Sequence, residues 1–229
     1  MKVEILPDAD AVARRAAALV AAEARAAVSE RGLFGLAVSG GTTPWQMLRA
    51  LANEDVPWDC VHVFQVDERV GPAGDPQRNL THLRESLGAR TALAEDRLHA
   101  MPVEDADLES AALRYAREIA EVLGSPPALD LVHLGLGADG HTASLVPGDP
   151  VLEVADADVA TTQLYQGRRR MTVTYPLLER ARRILWIVTG DAKRTMFERL
   201  RAGDTSIPAG RVRCDRAVAL ADCAAAGAR

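Results

Sequence analysis

The sequence is poor in cysteine. Cys60, Cys214 and Cys223 are the only three in 229 residues, far apart and outside any Cys-x-x-Cys or Cys/His spacing. That pattern argues against a disulfide framework and against a structural zinc module. No segment approaches the roughly 20 apolar residues of a membrane span. Met1–Asp8 lacks the long apolar stretch of a signal peptide, so a cytoplasmic protein without membrane association is expected. An excess of basic charge is also missing. The formal net charge of -5 argues against broad binding to nucleic acid or membrane surfaces. An anionic substrate would therefore need a local cluster of cations and backbone amides. Glycine (17) and proline (12) stand at ordinary levels, which gives no sign of disorder or a collagen-like repeat.

What the chain has is apolar residue: 48% of it is hydrophobic, enough for one large core, and a single α/β domain over residues 1–229 is expected. Asp10–Arg31, rich in Ala, Leu, Glu and Arg, reads as a helix ending at Gly32. Short apolar runs at Leu33–Val38, Val61–Val66, Leu129–Leu134, Met171–Thr174 and Ile184–Thr189 read as strands, with Ala217–Leu220 as a possible last one. Helices are expected over Pro44–Leu51, Asn79–Leu87, Asp105–Leu123, from about Pro176, and over Ala192–Arg201. This alternation predicts a doubly wound, mostly parallel sheet flanked by helices. Ligands bind such sheets beyond the carboxyl ends of the strands. Three loops fall there: Ser39–Thr43, Asp67–Asn79 and Gly135–Gly148.

Ser39-Gly40-Gly41-Thr42-Thr43-Pro44 has the makings of a phosphate cradle. Gly40 and Gly41 let backbone approach an anion, Thr42 and Thr43 offer hydroxyls, and the helix start adds free N–H groups. The plainer alternative is a tight turn with Thr43 as N-cap. The loop lacks the Gly-Lys-[Ser/Thr] ending of a P-loop. It only loosely mimics a nucleophile elbow, with one helix and one strand expected before Ser39. In Asp67-Glu68-Arg69, Asp67 can bind sugar hydroxyls or act as a base and Arg69 can clamp a phosphate, unless the cluster is merely solvated. Asn79 is either a further contact or the N-cap of its helix.

The third loop contains a formal G-x-G-x-x-G, but Pro147, Gly148 and Pro150 interrupt the helix that a dinucleotide site needs, so a Rossmann-like sheet without a dinucleotide is expected. His141 remains, two residues after Asp139 in a glycine-rich turn. An imidazole there can move protons at neutral pH, and a carboxylate can orient it. His62 and His133 fall within strands, His82 in a short helix and His99 in a loop without a motif. Arg170, next to a strand, and Lys193, at a helix start, are placed to hold a doubly charged phosphate. Arg168 and Arg169 read as surface charge.

Taken together, Ser39–Pro44, Asp67-Glu68-Arg69, the Gly-x-Gly-x-Asp-Gly-His-Thr-Ala-Ser-Leu-x-Pro-Gly run at Gly135–Gly148, Arg170-Met171-Thr172, Val188-Thr189-Gly190-x-x-Lys193 and Ile207-Pro208-Ala209 resemble the 6-phosphogluconolactonases, nearly end to end. The resemblance implies hydrolysis of 6-phospho-D-glucono-1,5-lactone to 6-phosphogluconate in the oxidative pentose phosphate pathway, with neither metal nor organic cofactor. It implies His141 as the base that activates water. It also implies a phosphate held by Arg69, Arg170, Lys193 and the Gly40–Thr43 segment, and oxyanion donors from the glycine-rich backbone. The expected partner is a small sugar-phosphate lactone, and the expected state a monomer or small homo-oligomer. Two departures stand out. Arg78 occupies the place where the family often has Ser before Asn79. Tyr165-Gln166-Gly167-Arg168-Arg169 replaces the usual proline-rich approach to Arg170. Related glucosamine-6-phosphate deaminases carry a Glu after the Asp-Gly-His turn, whereas Ala143–Gly148 contains no acid. A sugar-phosphate sensor would normally add a helix-turn-helix, and the chain is expected to begin directly with its first helix.

Overall fold

The computed structural model describes residues 1–228. In chain order its elements are β1 (Lys2–Leu6), α1 (Ala9–Arg31), β2 (Phe34–Val38), α2 (Thr42–Leu51), β3 (Val61–Gln65), β4 (Asp67–Arg69), α3 (Asn79–Ser86), β5 (Leu98–His99), α4 (Leu108–Leu123), β6 (Leu131–Gly135), β7 (Val159–Thr161), β8 (Arg170–Val173), α5 (Tyr175–Arg180), β9 (Ile184–Val188), α6 (Arg194–Arg201), β10 (Ala217–Asp222) and α7 (Cys223–Ala226). Seven strands form one sheet in the order β1-β10-β9-β6-β2-β3-β5. Every pairing in it is parallel.

The uninterrupted apolar runs at β2 and β9 are what a parallel sheet covered on both faces requires, and every residue of both strands is buried. Alternate side chains feed two cores. Leu36, Val63, Leu185 and Leu220 pack under α1, α2 and α3, which contribute Val20, Leu48 and Leu83. Phe64, Val132, Leu134 and Trp186 pack on the opposite face with Tyr115 of α4, Leu177 of α5 and Phe197 of α6. The alanine-rich face of α1 lets that long helix lie close to its neighbours. Its ends are well defined: Asp8 accepts from the Ala11 N–H at 2.7 Å, and Gly32 takes the left-handed conformation, φ 81°.

Besides the short elements β4, β7 and α7, three features depart from the sequence-based expectation. The chain begins with a strand, β1, at the sheet edge, so two strands and a helix precede Ser39. The strand expected at Met171–Thr174 does not join the parallel sheet. As β8 it forms the centre of a three-stranded antiparallel sheet, β4-β8-β7. His99, expected in a loop, lies in β5 beside β3.

The chain leaves β2 on one side to make β3 and β5, then returns to place β6 on the other side of β2. The switch point of the sheet lies between β2 and β6, where a crevice opens at the carboxyl ends.

Candidate functional site

A cavity of about 410 Å³ occupies that crevice, within the usual range for small-molecule sites of roughly 300–1,000 Å³. The loops after β2, β6 and β9 line it, joined by side chains of the small sheet. Since β2 and β9 flank β6, their loops meet across it: Thr43 Oγ1 and Thr189 Oγ1 share a hydrogen bond of 2.8 Å. Of the residues singled out from the sequence, Gly40, Gly41, Thr42, Thr43, Asp67, Arg69, Asn79, His141, Arg170 and Lys193 all line the cavity. Asp139 stands behind His141.

The start of α2 carries no side-chain cap. Gly41 is the N-cap at φ 134°, a conformation that strains any residue with a Cβ. Thr43, a candidate cap, lies inside the first turn with its hydroxyl committed to Thr189. The first intrahelical bond runs from Trp45 N to Gly41 O. The earlier N–H groups and the positive end of the helix dipole therefore face the cavity without a competing acceptor from Thr43. Gly40 is required for another reason: a Cβ there would lie 2.1 Å from Asn79 Oδ1.

Asp67, Glu68 and Arg69 have three separate jobs. Fully buried Glu68 accepts from the N–H groups of Arg69, Asn79 and Leu80 at 2.7–2.8 Å and from Gln65 Nε2 at 2.9 Å. It thereby caps α3 from a strand, with Arg78 Nε 3.6 Å away. Asn79 is thus the first helical residue and not the cap. Its side chain bridges Arg69 Nη1 (3.2 Å) and the Asp67 carbonyl (3.0 Å). Asp67 accepts from Ser144 Oγ at 2.6 Å and is the one carboxylate among the described cavity-lining residues.

Arg69 of β4 sits directly opposite Arg170 of β8 in the antiparallel ladder. Like charges in register repel, so the arrangement costs stability unless an anion lies between them. Burial pulls the Arg170 guanidinium below the ordinary arginine value and Arg69 adds to that, against the opposing charge of Asp67. Arg170 Nε is buried without a hydrogen-bond partner. The neighbouring arginines are spent structurally: Arg168 pairs with Asp75 at 2.6 Å and Arg169 with Glu109 at 2.6 Å.

At the turn after β6, His141 Nδ1 lies 2.5 Å from Asp139 Oδ1, which also accepts the His141 N–H at 3.2 Å. Burial alone would raise the Asp139 carboxyl. The His141 backbone N–H, the imidazole and the Tyr165 hydroxyl outweigh it and hold the group below its usual range. Gly137 makes room for the pair, since a Cβ there would lie 2.1 Å from His141 Nδ1. Gly140, at φ 87°, turns the chain. The N–H groups of Gly137 and Gly140 are used inside the turn, bonded to the carbonyls of His141 and Gly137. With Nδ1–H donated to Asp139, Nε2 keeps a lone pair for proton transfer.

Ser39 does not act as an elbow nucleophile. Its hydroxyl donates to the His133 carbonyl at 3.1 Å, and its N–H donates to His133 Nδ1 at 3.2 Å. Burial pushes that imidazole down to about 3. Sequence reasoning overlooked Ser144, which links Asp67 to the site, and the functional side of Tyr165, whose hydroxyl reaches Asp139 Oδ2 at 2.9 Å. Neither residue belongs to a motif whose spacing reveals a contact made across the fold.

Residues 7–220 match the family described as glucosamine-6-phosphate isomerases/6-phosphogluconolactonase. A 6-phosphogluconolactonase of Synechocystis is 38% identical over 196 residues, 84% of this chain and 81% of the relative. The crystal structure of a 6-phosphogluconolactonase from Thermotoga maritima superposes with a TM-score of 0.85 at 25% identity, covering 96% of this chain and 98% of that one. A monomeric glucosamine-6-phosphate deaminase superposes with a TM-score of 0.87 over the whole of both chains; at 20% identity it shares the fold alone.

Proposed function

The chain belongs to the glucosamine-6-phosphate isomerase/6-phosphogluconolactonase family, and from that premise we propose that it hydrolyses 6-phospho-D-glucono-1,5-lactone to 6-phosphogluconate, the lactonase step of the oxidative pentose phosphate pathway. One observation carries the reading. A single cavity holds both an imidazole oriented by a carboxylate and a pair of register-opposed arginines beside an uncapped helix start.

The phosphate is held by Arg69, Arg170 and Lys193 with the free N–H groups and hydroxyls of the Gly40–Thr43 segment. Asn79 and Asp67 fix the donors around it. At the other end, His141 Nε2 takes a proton from water as the oxygen adds to the lactone carbonyl. Asp139 stabilises the imidazolium that forms. The Gly137 and Gly140 N–H groups are already engaged, so the developing oxyanion draws on other donors of the cavity. As the ring C–O bond breaks, the imidazolium returns the proton to the departing ring oxygen, leaving the open-chain acid. A lactone is an activated ester, so no covalent nucleophile is needed, in keeping with the hydrogen bonding of Ser39.

The deaminase reading has less behind it. The deaminase's likeness is one of fold, and Ala143–Gly148 supplies no acid. The test is an assay with fresh 6-phosphogluconolactone, measured above spontaneous hydrolysis, with glucosamine 6-phosphate as the control substrate. Lactone turnover without release of ammonia is expected. Turnover of the amino sugar alone would overturn the assignment.

A further inference from the structure

Tyr165 stands where three elements of the site meet. Its hydroxyl donates to Asp139 Oδ2 at 2.9 Å, while Asp139 Oδ1 serves His141, so each carboxylate oxygen has its own donor. The same oxygen of Tyr165 lies 3.5 Å from His141 Nδ1, and the two rings meet edge to face, centroids 5.7 Å apart at 68°. The other side of the phenol ring supports the cation: the Arg170 guanidinium carbon lies 4.9 Å from its centroid. Burial first, and then the bond to Asp139, raise the phenol above its ordinary value, so it remains a proton donor at neutral pH.

The local backbone holds this position. Tyr165 and Arg168 exchange backbone hydrogen bonds at 3.0 and 3.3 Å. The two residues between them, Gln166 (φ 52°) and Gly167 (φ 80°), both take the left-handed conformation of a tight hairpin turn. Arg168 ties the turn to Asp75 at 2.6 Å, and Gln166 Oε1 accepts from Arg170 Nη2 at 3.1 Å. A proline-rich segment could supply neither the phenol nor this pattern of N–H bonding.

We propose that Tyr165 is a positioning residue that fixes the rotamer of Asp139 behind His141 and seats Arg170 with the same ring, so that the base and the buried cation are held in register. The proposal rests on the lactonase reading above for its kinetic consequence, but not for its structural one. The hydroxyl drains charge from Asp139. Removing it leaves Asp139 Oδ2 without that donor, so the carboxylate behind His141 is freer to turn away.

The test compares the full-length wild type with Tyr165→Phe and Tyr165→Leu by two readouts. In proton NMR of the unliganded protein at fixed pH, the His141 Nδ1–H signal should exchange with solvent about threefold to tenfold faster in Tyr165→Phe. In an Asp139→Asn background the same change should do nothing further. In the lactonase assay, Tyr165→Phe should lower kcat by about threefold to tenfold, the worth of one hydrogen bond, with KM unchanged. Tyr165→Leu should in addition raise KM by about threefold as Arg170 loses its support. A His141 Nδ1–H signal that exchanges at the wild-type rate in Tyr165→Phe overturns the proposal. Absence of lactone hydrolysis in the wild type would instead overturn the functional reading, and the exchange measurement would still decide the role of Tyr165.

Discussion

Two histidine–carboxylate pairs in this protein share the same short contact and differ in everything around it. His141 Nδ1 is 2.5 Å from Asp139 on the turn after β6, and His99 Nδ1 is 2.5 Å from Glu118 where β5 meets α4. The second ring nitrogen separates them. Nε2 of His99 is bonded to His62 Nδ1 at 2.9 Å, the ring stacks on Phe64 at 4.3 Å, and Arg97 closes the chain at His62 Nε2. Each donor there meets an acceptor, so no lone pair is left for a substrate. Nε2 of His141 belongs to a ring that lines the cavity, alongside Arg69, Arg170 and Lys193. A carboxylate beside a histidine is therefore only half of a proton-transfer site. The other half is a free nitrogen facing a cavity of matching charge.

The same substitution made in both pairs breaks the comparison most sharply. His141→Ala should lower kcat for lactone hydrolysis by about 10²- to 10⁴-fold with little change in melting temperature. His99→Ala should leave kcat near wild type and cost on the order of 1–3 kcal/mol of stability, since it removes a buried ring from a satisfied network. Equal kinetic losses in the two variants, measured with a thermal melt of each, would collapse the distinction.

The charged surroundings come next. Arg69→Met should raise KM by about tenfold to a hundredfold, the scale of a charge-assisted hydrogen bond, with kcat largely retained. Inorganic phosphate should raise the melting temperature of the wild type and do so far less in the variant. A loss confined to kcat would move Arg69 from phosphate binding to the reacting centre.

The smallest effect concerns a histidine of neither pair. Burial holds His133 at about 3 in the native protein against 6.5 for an unhindered imidazole. Between those values the unfolded chain binds a proton that the native chain refuses. Stability therefore falls as pH drops below about 6.5 and continues to fall toward about 3. Burial lowers His62 too, before the charges of His99 and Arg97 add to it, and this acts in the same direction. His133→Gln should flatten, but not abolish, the acid slope of urea midpoints measured from pH 7 to 4. An unchanged slope would remove His133 from the account.

Motifs whose chemistry is local could be read directly. Gly40–Thr43 forms a helix start whatever lies around it, and Asp139 and His141 are close enough in the chain for one turn to pair them. Glu68 could not be read this way. In the sequence it is one acid in a charged triplet, yet it caps a helix 11 residues away because β4 runs beside the start of α3. Arg170 stands apart from Arg168 and Arg169 by its place at a strand, and the pairing of β8 with β4 sends it alone of the three into the cavity. Met171–Thr174 has the composition of any buried strand, and apolar periodicity alone does not say which sheet it will join.

By itself, then, the sequence determined the alternating α/β architecture, the three loops at the strand ends and the chemistry carried in each, because periodicity, glycine conformations and helix starts are properties of adjacent residues. Only the tertiary structure decided which histidine–carboxylate pair faces the cavity, that Arg69 stands opposite Arg170, and that Tyr165 stands behind Asp139. These depend on which donors and acceptors the fold brings within about 3 Å of each other across long stretches of chain, and spacing along the chain does not encode that.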